Sequence, residues 1–75
     1  MRPFRTTDLY FAAHLKAAGV QYVQCGRVDG RPTYWFESDF PIRDLKAGYY
    51  SRTAQVDALT YADALKFLKA AAYSV

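Results

Sequence analysis

Asp29-Gly30 lies between two runs of strand-favouring residues, 20–28 and 31–37. A two-residue type I′ turn needs positive φ at both central positions, and Asp-Gly is among the few dipeptides that supply it. An antiparallel hairpin follows. A hairpin alone is marginal in water, so the flanking segments must cover it. Regular pairing sets Cys25 opposite Tyr34 and Val23 opposite Phe36, and opposed residues share a face. The expected core face is Val23, Cys25, Tyr34 and Phe36. The other face then carries Tyr22, Gln24, Val28, Thr33, Trp35 and Glu37, with Trp35 beside Gln24 and diagonal to Gly26. A one-residue slip would exchange the two faces. Pro32 has no N–H to donate, which places its end of the second strand at an edge or outside the ladder.

The segments around the hairpin read as helices. Residues 1–5 form an extended tail, and Thr6 or Thr7 caps a helix over 7–18 with Asp8 in its first turn. Phe4 is placed to staple against Leu9 or Tyr10. Leu9, Phe11, Ala12 and Leu15 share one broad side, His14 and Lys16 fall elsewhere, and Gly19 is a natural stop. Ser38-Asp39 precedes a second helix over 39–50, with Ile42, Leu45 and Tyr49 aligned and Gly48 weakening its end. Ala54-Gln55-Val56 offers a brief third strand. Asp57 or Thr60 caps a last helix over 58–73, where Ala58, Tyr61, Leu65, Leu68 and Ala72 keep a three–four spacing broadened by Ala64, Phe67 and Ala71. The expected architecture is one small α+β domain, in the order α-β-β-α-(β)-α.

Two of these segments carry a likeness. Phe4–Ala13, FRTTDLYFAA, fits an F-[KR]-T-[ST]-D-L-Y-x-A-A opening. The stretch 54–69, AQVDALTYADALKFLK, fits an A-x-V-x-A-L-x-[FY]-A-x-A-L-[KR]-x-L-K close. In both, and nearly throughout its length, the chain resembles a family of short phage, prophage and bacterial proteins built on a domain of unknown function. The resemblance implies a phage or mobile-element setting and a host-cell cytoplasmic location, and it brings no catalytic residues. Tyr49-Tyr50 stand where such relatives often carry an aromatic pair.

Composition narrows the chemistry. One Cys excludes an internal disulfide, and one Cys with one His leaves no set of soft metal ligands. No apolar run approaches the roughly 20 residues of a membrane span. The N-terminal MRPFRTTD has no apolar segment of a secretory signal, so the cytoplasm is the expected compartment. The single Glu and six Asp fall mostly at caps, turns and exposed helix positions, not as a pair in a cleft. Cys25 is expected to point into the core, away from a nucleophilic pairing with His14, whose exposed position reads as incidental. The four Gly serve a helix stop, a strand, a turn and a helix rather than a phosphate loop. No catalytic, metal or cofactor residues are therefore assigned, and the chain reads as non-enzymatic.

Two binding readings remain. Seven Tyr and five Phe among 75 residues exceed one small core, and Tyr and Trp are the residues that anchor interfaces. Tyr22, Trp35, Tyr49, Tyr50 and Tyr73 are thus candidates for contact with a protein partner or a second copy, as in a homodimer. This is the leading expectation. The alternative follows from a net charge of +3: Arg27 and Arg31 flank the hairpin tip and Arg2 and Arg5 form a basic arm, a set suited to nucleic acid. Scattered carboxylates dilute that field, and nothing points to a membrane.

Overall fold

The computed structural model describes residues 2–50 and 56–75. Six elements follow one another: β1 (Arg2–Thr6), α1 (Leu9–Ala17), β2 (Gln21–Val28), β3 (Arg31–Ser38), α2 (Ile42–Tyr50) and α3 (Ala58–Tyr73). The α+β class holds, but the order begins with a strand. Arg2–Thr6 pairs antiparallel with β3, from Arg2 opposite Ser38 to Thr6 opposite Tyr34, so the N-terminal segment is not a tail. The sheet order is β1-β3-β2, which puts the second hairpin strand at the centre. The expected third strand at 54–56 lies outside the described residues for Ala54 and Gln55. Val56 belongs to no strand.

The hairpin turn is as its dipeptide requires, with Asp29 at φ 53° and Gly30 at φ 80°. Val28 opposes Arg31 and Arg27 opposes Pro32. Pro32 lies beyond the reach of β1, whose pairing ends opposite Tyr34. Among the described residues a partner strand stands on only one side there, so the missing N–H costs no ladder bond on the other.

One departure changes the faces. Cys25 opposes Tyr34 as expected, but a β-bulge between Tyr22 and Gln24 sets Tyr22, not Val23, opposite Phe36. Val23 is the extra residue and stands 47% exposed. A bulge opposes two residues to one, and beyond it the strand regains its pairing with sides shifted by one position. Tyr22 thereby joins the core side, edge-on to Phe36 at 5.7 Å and to Phe67 at 5.3 Å.

The core lies between this side of the sheet and the helices. Phe11, Ala12, Ala13, Leu15, Tyr34, Phe36, Ala64 and Leu68 are buried. Phe4 stacks on Phe36 at 5.9 Å, across the β1–β3 ladder, instead of stapling the helix start. Asp8, not Thr6 or Thr7, is the N-cap of α1: its carboxylate accepts from the N–H groups of Tyr10 and Phe11. Thr6 Oγ1 accepts instead from the Asp8 N–H. The helix ends as Gly19 foretells. With Gly19 at φ 90°, its N–H donates to the Lys16 carbonyl and the Val20 N–H to Leu15, closing a Schellman motif.

α1 is nearly enclosed. Its alanines let α3 approach closely on one flank, and Tyr49 of α2 packs on Phe11 at 5.3 Å. His14 is consequently half-buried against the Tyr49 ring at 5.1 Å, not on an exposed side. Lys16 lies over the rings of Phe67 and Tyr22. The α2 helix starts later than expected because Ser38 Oγ accepts from the Phe40 N–H and the Pro41 carbonyl takes the first helical bonds. Its Ile42, Leu45 and Tyr49 pack against the core as their spacing predicts. Asp57 caps α3 through the Thr60 N–H and hydroxyl.

Candidate nucleic-acid interface

The three strands present a second side. In β3 it carries Arg31, Thr33, Trp35 and Glu37, alternating with the core-facing Tyr34 and Phe36. Neither Trp35 nor Val28 belongs to the hydrophobic groups packed against the core. Among the described residues, the helices pack on the opposite side of the sheet.

Trp35 occupies the middle of this open side. Its cross-strand neighbours are Arg5 of β1 and Gln24 of β2. One step along, Gly26 opposes Thr33, and the indole reaches diagonally across it. A Cβ at Gly26 would stand 3.2 Å from Trp35 Cζ3, so the absent side chain is what lets the ring lie against β2. The ring is half-buried as a result. Around it stand Arg5, Gln21, Gln24 and Arg31, all exposed, with Glu37 as the nearby acid.

The four basic candidates divide between the two sides. Arg5 and Arg31 share the open side with Trp35. Arg27 falls on the helix side, where Nε donates to the Val75 carbonyl and a terminal nitrogen to the Gly30 carbonyl. Arg2 pairs opposite Ser38 at the far end of β1. The structure therefore dissolves both the basic arm and the doubly basic hairpin tip. In their place it brings Arg5, Arg31 and Lys46 to one polar recess of about 610 Å³ with Thr7, Thr33 and Asp29. Lys46 was not legible as a site residue: its α2 position marks it only as a cation off the Ile42–Leu45–Tyr49 stripe. None of the three cations has an ion pair or side-chain hydrogen bond among the described residues. Thr33 is almost fully buried, at 1% exposure, and its hydroxyl donates to the Arg31 carbonyl.

The aromatic candidates do not converge. Tyr22 and Tyr49 are engaged in packing on the helix side, and burial raises both phenols above their ordinary range. Tyr50 is 64% exposed but edge-on to Tyr49 at 5.0 Å, and Tyr73 is 92% exposed at the end of α3. Trp35 stands apart from all four on the open side.

Residues of possible catalytic character are also separated. Cys25 is half-buried opposite Tyr34, and burial pushes its thiol up from the usual value, opposed by a backbone hydrogen bond from Thr33 and by Arg27. His14 lies against Tyr49, and burial lowers its pKa. No hydrogen bond joins the two among the described residues. No group of three or more His, Cys, Asp or Glu among the described residues is placed to hold a metal ion. No described helix is long and apolar enough to cross a membrane. Compared with known proteins, the chain matches no family model, no curated protein and no solved structure.

Proposed function

We propose that the open side of the sheet binds single-stranded nucleic acid, with Trp35 stacking on a base and Arg5 and Arg31 contacting the backbone phosphates. The observation that carries this reading is the row Arg5–Trp35–Gln24 across three strands, uncovered by any described helix. It supplies a cation and an amide, each one ladder step from an aromatic platform. Every base has a π-face, so stacking on Trp35 is tolerant of sequence and worth about 1–3 kcal/mol per base. This reading assigns the chain a binding role rather than catalysis.

The order of the two sequence-based readings thus reverses. The aromatic surface for a protein partner or a second copy loses Tyr22 and Tyr49 to packing and keeps Tyr50 and Tyr73 on helix ends. Around Trp35 the surface is polar and basic, which suits a phosphate backbone better than an apolar homodimer. The phage or mobile-element setting suggested by the Phe4–Ala13 motif remains part of the proposal.

Trp35 is the sole tryptophan, so its emission reports on this site alone. Titration with oligothymidylate or oligouridylate at low salt should quench it to saturation. Two phosphate contacts give a log–log salt slope of about −1.4 for a single strand. By anisotropy of a labelled oligomer, Trp35→Ala should weaken binding roughly five- to hundredfold. Absence of binding at low salt, or unchanged affinity in Trp35→Ala, would overturn the assignment.

A further inference from the structure

β1 stops pairing at Thr6, opposite Tyr34, whereas β3 extends to Arg31. Among the described residues, the flank of 31–33 turned away from β2 therefore has no strand beside it. The chain leaves β1 through Thr7 and Asp8 into α1, and Lys46 reaches the gap from α2. This unequal strand length creates the recess of about 610 Å³. We propose that it seats the terminal phosphomonoester of the strand stacked on Trp35, an inference that rests on the single-strand reading above.

Charge is the first argument. Arg5, Arg31 and Lys46 against Asp29 leave the lining at a net charge of +2. An internal phosphodiester carries one negative charge, while a terminal monoester carries nearly two above its second pKa of about 6. Donor supply is the second. The three cations are unengaged, and the Thr7 hydroxyl makes no hydrogen bond among the described residues. The Thr6 oxygen accepts from the Asp8 N–H, and its proton is still available to donate. Asp8 itself is held at the start of α1 by Tyr10 and Phe11.

Position is the third. Arg5 is one ladder step from Trp35, about 5 Å between backbones. Thr33, in the recess lining, is two residues along the same strand, roughly 7 Å away. A base on the indole would hold its own phosphate at the mouth of the recess.

The test compares three octathymidylates on the full chain at low salt and pH 7.5: 5′-phosphorylated, 3′-phosphorylated, and hydroxyl at both ends. One further negative charge facing two positive ones at roughly 6 Å in water gives about a tenfold gain for one phosphorylated form. That gain should fall to about threefold in Arg31→Gln and in Lys46→Gln, where one net positive charge remains, and should fall away at pH 5 as the monoester loses its second charge. Asp29→Asn should enlarge it, since Asn accepts the positive φ of that turn position while removing the acid. Saturating inorganic phosphate should abolish the advantage of the favoured phosphorylated form, bringing it level with the hydroxyl-ended strand. Equal affinity for all three oligomers, or phosphate displacing all three alike, would overturn the recess while leaving the sheet face standing. No binding by any of them would overturn both.

Discussion

The bulge at Val23 makes opposite demands on two adjacent side chains, and a pair of alanine substitutions separates them. Tyr22 is half-buried, in edge contact with Phe36 and Phe67 and beneath the Lys16 ammonium. Taking about 120 Å² of apolar area removed from water at about 25 cal/mol/Å² gives about 3 kcal/mol. A compact denatured chain reduces this to about 2. The two edge-on ring contacts restore about 1 kcal/mol. Tyr22→Ala should therefore cost about 3 kcal/mol, a large part of the stability of a domain of this size. Val23, at 47% exposure, should lose only about 0.5 kcal/mol on Val23→Ala. The assay is urea unfolding followed by far-UV circular dichroism, with thermal midpoints as a second readout. At about 4–8 °C per kcal/mol, Tyr22→Ala should lower the midpoint by at least about 12 °C. In a regular hairpin Val23 would oppose Phe36 and face the core. A loss in Val23→Ala equal to or greater than that in Tyr22→Ala would refute the bulge and the face assignment built on it.

Two further outcomes follow from local geometry. Gly26→Ala should displace the Trp35 ring, because the new Cβ would meet Cζ3 at 3.2 Å; emission should shift to the red with a stability change below about 1 kcal/mol, and an unshifted spectrum would refute the contact. His14 is held below its ordinary pKa of 6.5 by burial, so the unfolded chain takes up its proton first as pH falls. Its stabilisation is complete above pH 6.5 and is lost as pH falls through the lower native value. Urea midpoints should drop between pH 7.5 and pH 5.5, and His14→Gln should flatten that drop.

Where the sequence was readable, the signal was local. Asp29-Gly30 demands one turn, Gly19 one helix stop, and the alanine-rich spacing of 58–73 one helix with the same bounds as α3. The contact of Trp35 with Gly26 followed from strand alternation alone. What escaped depended on partners distant in the chain. Arg2–Thr6 is too short and too polar to show a period, and it is a strand because the centre of the sheet needs a second neighbour for β3. Tyr22 and Val23 both favour strands, and nothing local marks which one the ladder skips. The site divided the same way: Trp35 and Thr33 could be placed on one face from their spacing, whereas parting Arg31 from Arg27 and bringing Arg5 and Lys46 to it required the strands to pair, β1 to dock and α2 to pack.

The central position of β3 also orders assembly in time. Its bond to β2 closes through a two-residue turn, whereas its bond to β1 joins segments roughly thirty positions apart, with α1 in between. Local closure precedes distant closure when both are exposed to the same chain entropy. The hairpin is therefore expected to form first, leaving one flank of Phe36 bare until Phe4 arrives. Arg5 arrives with the same strand. Until then Trp35 has its amide neighbour but not its cation, so the proposed binding surface is completed only when β1 docks. On the proposed reading, a chain cleaved between β1 and α1 would retain Trp35 and Gln24 but lose Arg5, and with it part of its hold on phosphate.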